Sequence, residues 1–181
     1  MVVPPGGGGS TFGASADGLG LAFLTIPPMA GMQQENLTAQ QMLFTLFTAP
    51  KTAAVSFLGT YVETPGATAG AGVNQMGLYS EAGVLLTSTG DMTAAWDTAE
   101  QWAEAACTPS VVLTGGANYY FGIVANFTGT KLGIPGNGNI SYQALNGHFM
   151  GLFLNGQATL PASFTPGSAG AGFAACLGYG R

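Results

Sequence analysis

The sequence predicts an all-β protein, an antiparallel β-sandwich of jelly-roll type preceded by an extended N-terminal arm. Short runs of apolar, aromatic and β-branched residues recur along the chain, and Gly, Pro and Asn separate them. No long stretch keeps the apolar period of a helix over several turns. The 181 residues suffice for one domain with a sizeable core. We expect this domain to span residues 37–181 and the arm to span residues 1–36.

Seven runs are the strand candidates of the domain. Residues 119–127 (YYFGIVANF) are the most strand-like, and the turn Gly115-Gly116 leads into them. Residues 80–82 are a connection of hairpin size between two of the runs. By contrast, residues 135–147 (PGNGNISYQALNG) are predicted to form a long polar loop. The predicted strands are 42–48, 54–62, 73–79, 83–87, 119–127, 149–154 and 171–179.

Residues 93–106 (TAAWDTAEQWAEAA) leave two alternatives open. On a helix, Trp96, Ala99, Ala103 and Ala106 would form an apolar stripe, and Asp91 could cap the first turn. The alternative is a short turn around Trp96 that is followed by a strand containing Trp102. The residues themselves favour neither.

The N-terminal segment, residues 1–36, differs from the rest in composition. Its glycines at 6–9 are typical of a flexible linker. The apolar residues that follow are too few to bury one another, so we expect an assembly arm that lies on its own domain or on a neighbouring subunit. A disordered tail is the other interpretation. The arm residues are Phe12, Leu19, Leu21, Phe23, Leu24 and Ile26.

Charged residues are scarce in this chain. It contains three Lys and Arg residues and eight Asp and Glu residues, whereas it contains 30 glycines. An ordinary soluble domain is about a quarter charged. Such a weakly charged surface is typical of a subunit that other protein covers. The net charge of −5, with Lys51, Lys131 and Arg181 far apart, argues against nucleic-acid binding. We expect no membrane insertion, since the apolar residues 19–26 are few and end at Pro27-Pro28.

The candidate chemistry of the sequence is weak, and we expect no enzyme, cofactor or metal site. Asp97, Glu100 and Glu104 are the carboxylate cluster, which is typical of a solvated face rather than of a glycosidase pair. His148 is the single histidine and has no potential ligand near it. Cys107 and Cys176 are too few for a disulfide scaffold, and buried, reduced thiols are expected.

Aromatic residues suggest one binding surface. Trp96 and Trp102, with Tyr119 and Tyr120, could stack on the apolar faces of sugar rings, although alternate members of such a set are often core residues. Tyr142 lies in the predicted loop 135–147, and long loops of this kind often contact a ligand or a neighbouring subunit. The candidate glycan or partner surface is therefore Trp96, Trp102 and Tyr142.

A set of motifs resembles a β-sandwich module found in tailed bacteriophages of actinobacteria, in minor tail and other virion structural proteins. The resemblance extends from about Leu37 to residue 181, does not cover residues 1–34, and brings no functional residues with it. The motifs are 42–50 (MLFTLFTAP), 73–79 (VNQMGLY), 87–91 (TSTGD), 110–116 (SVVLTGG), 119–125 (YYFGIVA) and 156–163 (GQATLPAS).

The resemblance implies a non-enzymatic virion protein that is assembled in the host cytoplasm. It favours a turn and a strand over a helix at residues 93–106. Its partners would be other virion proteins and copies of itself, with a homotrimer favoured. Within the virion, a minor tail or fibre-type subunit is expected, and a capsid decoration protein on the head exterior is the alternative. A carbohydrate-binding host-attachment module is a further alternative, which rests on the aromatic residues.

Overall fold

The fold is all-β and antiparallel, as the sequence predicts. The computed structural model describes residues 20–25, 33–37, 39–137, 144–145, 148–149, 151–168, 170–171, 175–176 and 178–181. In this part of the chain, the one helical element is a single 3-10 turn, Pro166–Ser168. The fifteen strands are β1 (Phe23–Leu24), β2 (Gln33–Asn36), β3 (Gln41–Thr48), β4 (Ala53–Val62), β5 (Gln75–Ser80), β6 (Leu85–Thr89), β7 (Gln101–Leu113), β8 (Asn118–Ala125), β9 (Gly133–Asn137), β10 (Ala144–Leu145), β11 (His148–Phe149), β12 (Gly151–Leu154), β13 (Gly170–Ala171), β14 (Ala175–Cys176) and β15 (Tyr179–Gly180).

Ten of these strands form one hydrogen-bonded series in the order β1-β15-β4-β7-β6-β5-β8-β3-β12-β13. A second sheet has the order β14-β9-β2, and β10 and β11 form a hairpin. A sandwich would divide its strands between two facing sheets. The antiparallel all-β class is confirmed. Because ten strands are joined here in a single series, the jelly-roll assignment stays a prediction.

The large sheet curls back on itself. Strands β1 and β3 are first and eighth in its order, so a flat sheet would hold them about 33 Å apart at the usual spacing between strands. Instead the Phe23 ring of β1 stacks on the Phe47 ring of β3, with 4.2 Å between ring centroids. Phe121 of β8 lies beside the same Phe23 ring at 6.1 Å. The concave face of the sheet is therefore closed and holds the main core.

The two faces of the sheet carry separate cores. The main core on the concave face includes Phe23, Phe47, Val55, Trp96 and Phe121. The second core lies on the opposite face of β3, β5, β8 and β12, where Phe164 from the segment after β12 stacks on Phe44 at 3.9 Å. This division follows from the strand period of two, which sends successive side chains to opposite faces.

Predicted strands and observed strands agree over most of the domain. The runs 42–48, 54–62, 73–79, 83–87 and 119–127 overlap β3, β4, β5, β6 and β8, and the last two runs overlap β11 to β15. At residues 93–106 the helical alternative is wrong. Ala95 and Trp96 donate backbone hydrogen bonds to the Met92 carbonyl in a short turn, and strand β7 begins at Gln101. Pairing with β4 along most of its length holds β7 extended.

The prediction of a loop throughout residues 135–147 is wrong at both ends of that range. Strand β9 continues to Asn137 and pairs with β2 on one side and β14 on the other. Ala144–Leu145 pairs with His148–Phe149. The sequence of β9, GIPGN, is rich in residues that favour turns. Pairing with two neighbouring strands outweighs that local preference.

The described part of the N-terminal segment is hydrogen-bonded to strands of the domain. Phe23 and Leu24 pair with Gly180 and Tyr179, and Phe23 is fully buried in the main core. Strand β2 pairs with β9 in the second sheet. The described arm residues Leu21, Phe23 and Leu24 therefore lie on their own chain, whereas Phe12, Leu19 and Ile26 lie outside the described residues. The domain boundary after residue 36 stays a prediction.

A buried polar network fixes the loops at one end of the sheet. The Asn126 side-chain amide donates to the carbonyls of Val73 and Ala158 at 3.1 and 3.2 Å, and its Oδ1 accepts from the Gln40 backbone N–H at 3.1 Å. Asn74 donates from Nδ2 to the Thr93 hydroxyl at 2.7 Å. Asn126 and Asn74 are each 1% exposed, so these bonds satisfy polar groups that water does not reach.

Candidate functional site

The candidate site lies on the convex face of the sheet, where β1, β15, β4 and β7 run side by side. The strand registers place four residues in one row across these strands: Leu24 opposite Tyr179, Tyr179 opposite Gly59, and Gly59 opposite Glu104. A neighbouring row places Tyr61 opposite Trp102. Residues of one row have their side chains on the same face and close together. Pairing between strands from distant parts of the chain thus assembles this surface.

Gly59 leaves a gap in the row that the Tyr179 ring fills. A Cβ atom at Gly59 would overlap the Tyr179 ring atoms. Because glycine has no side chain, the ring lies across β4 and its hydroxyl donates a hydrogen bond of 2.8 Å to Glu104 Oε2 on β7. The glycine therefore allows a tyrosine on β15 to bond a carboxylate two strands away.

Arg181 completes a polar cluster around this carboxylate. Its Nε donates to Glu104 Oε2 at 3.0 Å and its Nη2 donates to Glu104 Oε1, a two-point ion pair. The guanidinium carbon also lies 4.5 Å from the centroid of the Phe57 ring. The hydrogen bond from Arg181 is the main cause that lowers the pKa of Glu104 below its ordinary value, with a smaller contribution from Tyr179. Glu104 is therefore a carboxylate at neutral pH.

Trp102 forms an apolar wall beside this cluster. Its ring makes edge contacts with Tyr61 at 5.4 Å and with Tyr179 at 5.2 Å between centroids, so neighbouring aromatic rings on both sides orient it. The residue nevertheless remains 50% exposed. Next to it lies a groove of about 530 Å³. Among the described residues, the groove is lined by Leu21, Leu24, Trp102, Glu104, Tyr179 and Arg181.

A second depression is lined by Tyr61, the residue that contacts Trp102. Gln34, Tyr61, Glu63 and Glu100 line it, and its volume is about 380 Å³. The Gln34 side-chain carbonyl accepts a hydrogen bond of 3.0 Å from the Thr64 hydroxyl. The contact between the Tyr61 and Trp102 rings links the two depressions, and the second one adds the carboxylates of Glu63 and Glu100 to the surface.

The structure brings together some of the predicted site residues and separates others. Trp102 and the arm residues Leu21 and Leu24 line the groove. Trp96 is fully buried in the main core, so its assignment to a ligand-binding surface is wrong; the tight turn at residues 92–96 directs its ring inward. Tyr142 lies outside the described residues.

Glu100 and Glu104, two of the predicted carboxylate cluster, have different surroundings. Glu104 is tied to Arg181 and Tyr179, whereas Glu100 precedes β7 and lines the second depression. A general acid requires a raised pKa, and the pKa of Glu104 is lowered. Within the described residues, no three His, Cys, Asp or Glu side chains cluster as metal ligands.

Sequence reasoning missed the two groove residues from the C-terminal end, Tyr179 and Arg181. One signal was present: Arg181 is one of only three basic residues, and a lone cation in a charge-poor chain often has a specific partner. Cys107 is a free, buried thiol, as predicted. The side chain of Cys176 lies outside the described residues.

No protein-family model matches this chain, and no curated protein matches it. In the part of the chain that the structure describes, no helix is long and apolar enough to span a membrane.

Proposed function

We propose that this protein is a non-enzymatic structural subunit of a bacteriophage particle, a minor tail or fibre-type component. The observation that carries the proposal is the position of the motifs that resemble phage proteins. These motifs are spread over the sequence, yet five of the six fall on β3, β5, β6, β8 and the end of β7, and the sixth, residues 156–163, lies in the segment after β12. In the large sheet these strands are contiguous, in the order β7-β6-β5-β8-β3. The resemblance therefore concerns one continuous structural block, which supports a shared architecture.

Exposed apolar residues on the convex face of the sheet give further support. Near the end of β7, Val112 is 64% exposed and pairs with the exposed Ala54 of β4. Val84, before β6, is 49% exposed. Isolated apolar residues on a surface are ordinary, but here they occur in a chain in which only 6% of residues are charged. A subunit that neighbouring virion proteins cover would have a surface of this kind.

Assembly through the N-terminal segment belongs to the same proposal. Its described part pairs with strands of its own domain, and contacts of the arm with neighbouring copies are part of the proposal. A homotrimer is the favoured arrangement, as the resemblance to phage structural proteins implies. Other virion proteins would bind the remaining convex surface.

Localisation on the particle tests the proposal. Gold-labelled antibody raised against residues 37–181 would be applied to intact particles of the phage that encodes the chain and viewed by electron microscopy. Labelling confined to the tail is the expected result. Dense labelling over the head would instead indicate the decoration protein, and particles that carry no chain at all would overturn the structural role. Copies in the tens suit a tail and copies in the hundreds suit a shell.

A further inference from the structure

We propose that the groove lined by Trp102, Glu104, Tyr179 and Arg181 binds a neutral carbohydrate. The inference rests on the chemistry and geometry of the groove alone. It does not depend on the virion role, so either proposal can fail without the other.

The apolar wall of the groove suits the carbon-bound face of a pyranose ring. Trp102 is half-exposed although it is the largest side chain on β7, and edge contacts from Tyr61 and Tyr179 restrain its ring. A ring that is already oriented loses little conformational freedom when a ligand packs on it. Leu21 and Leu24 line the same groove and extend its apolar surface. The volume of about 530 Å³ lies within the usual range for small-ligand pockets.

The polar wall of the groove suits hydroxyl groups, which both donate and accept hydrogen bonds. Glu104 accepts two bonds at Oε2, from Tyr179 and from Arg181 Nε, and one bond at Oε1, from Arg181 Nη2. A carboxylate has about four acceptor positions, so one position remains at Oε1. The guanidinium carries N–H donors beyond the two that Glu104 engages. A sugar hydroxyl at this point could donate to Glu104 and accept from Arg181.

The charge of the groove favours a neutral ligand over an anionic one. Arg181 is neutralised by the ion pair with Glu104. The second depression adds the carboxylates of Glu63 and Glu100. An acidic polysaccharide or a phosphate group would meet this negative charge, and among the described residues that line the groove the one cation, Arg181, is already paired with Glu104. A lysine-rich peptide is the main competing ligand, because carboxylates and aromatic rings also attract ammonium groups.

The affinity for short neutral oligosaccharides is the first test. The probes are homo-oligomers of glucose, galactose, mannose and N-acetylglucosamine, with a lysine-rich peptide as the competing ligand. Binding to the full chain would be measured by ligand-observed saturation-transfer NMR. Intrinsic fluorescence would report the location, because the chain has two tryptophans and Trp96 is fully buried. A saturable change in the exposed Trp102 signal on addition of at least one of the sugars is expected.

Matched variants separate the groove from the rest of the surface. Trp102→Ala should weaken sugar binding by about tenfold or more in the NMR assay, which corresponds to about 1.4 kcal/mol. Trp102→Phe should retain part of the affinity. Val112→Ala truncates another exposed apolar residue on the same strand and should bind like the wild type. Thermal unfolding of each variant would establish that it is folded.

Three results would overturn the proposal. The first is the absence of a saturable response to any of the four sugars up to millimolar concentration. The second is equal sugar affinity of Trp102→Ala and the wild type. The third is binding of the lysine-rich peptide without binding of any sugar, which would assign the groove to a basic protein partner.

Discussion

The Tyr179 hydroxyl reaches the Glu104 carboxylate across an intervening strand, with 2.8 Å between the two oxygens. Tyr179 lies on β15 and Glu104 on β7, and the residue of β4 between them is Gly59. Side chains two strands apart are separated by about 10 Å in a regular sheet. The hydrogen bond therefore requires a long side chain on one strand and no side chain on the next.

Substitution of Gly59 by alanine should destabilise the protein. The added Cβ would overlap the Tyr179 ring and displace it from Glu104. Overpacking of this kind costs about 1–3 kcal/mol in the free energy of unfolding. Gly90→Ala is the matched control, because a Cβ there meets no atom within 4 Å. Urea denaturation of both variants measures the difference; equal stability of Gly59→Ala and the wild type would contradict the described packing.

Substitution of Phe23 by alanine tests the closure of the curled sheet. Phe23 is fully buried and stacks on Phe47, so truncation should leave a cavity and cost about 3–5 kcal/mol. Leu24→Ala changes the next residue, which is half-buried on the opposite face, and should cost distinctly less. Thermal unfolding of the isolated subunit provides the measurement. If both variants unfolded at the wild-type temperature, residues 20–25 would not be part of the core in solution.

Substitution of Asn126 tests the buried polar network. In Asn126→Asp, a carboxylate oxygen would replace the amide that donates to the Val73 and Ala158 carbonyls. Both carbonyls would lose the Asn126 donor and face a buried acceptor, although Ala158 would still accept from the Val73 backbone N–H. We therefore expect a loss of about 2–5 kcal/mol in the free energy of unfolding. Thr98→Ala removes a hydroxyl from an exposed loop and should leave stability unchanged within about 0.5 kcal/mol. Chemical denaturation at neutral pH measures the free energy of unfolding of both variants. Similar losses of stability in Asn126→Asp and Thr98→Ala would argue against the network.

The pH dependence of stability should reflect the ion pair at Glu104. Hydrogen bonding by Arg181, and to a smaller extent by Tyr179, lowers the pKa of Glu104 in the folded protein below the ordinary value of 4.5. Since the folded pKa is the lower one, the stabilisation is present above the ordinary value and is lost as pH falls through the folded pKa. The stability advantage of the wild type over Glu104→Gln should therefore shrink below about pH 4.5.

Arg181→Met provides the matched partner variant for this prediction. Removal of the guanidinium removes the largest cause of the shift, so the pKa of Glu104 should rise toward its ordinary value. Titration of the Glu104 carboxyl carbon by NMR follows this change directly. An unchanged midpoint in Arg181→Met would show that the ion pair does not control the carboxylate.

Strands β4 and β8 were predictable because their pattern is local. In β4 and β8, apolar and β-branched residues recur between clear turn residues, and this pattern alone indicates strands. Strand β9 was not predictable in this way. Its Gly and Pro residues favour turns locally, and only pairing with β2 and β14 makes it a strand.

The candidate site was only partly predictable, because it too depends on pairing between strands that are distant in the sequence. The sequence made Trp96 and Trp102 equal candidates for an aromatic binding surface. In the structure Trp96 is buried and Trp102 is exposed, and the turn at residues 92–96 causes this difference. The groove unites residues 21–24 with Glu104 and residues 179–181. Their proximity depends on the order and register of β1, β15, β4 and β7, which no local pattern encodes.

The central claim, that the chain is a structural part of a phage particle, is tested most directly by quantitative mass spectrometry of purified virions. Particles of the encoding phage would be banded by density, stripped of loosely bound protein with high salt and digested. Peptides of this chain would be counted against the major capsid protein. The account predicts that the chain stays with the particles in a fixed ratio to the capsid protein. The number of copies per particle should be a small multiple of the symmetry order of the tail. Its loss in the salt wash, or its presence only in the lysate of infected cells, would contradict the account.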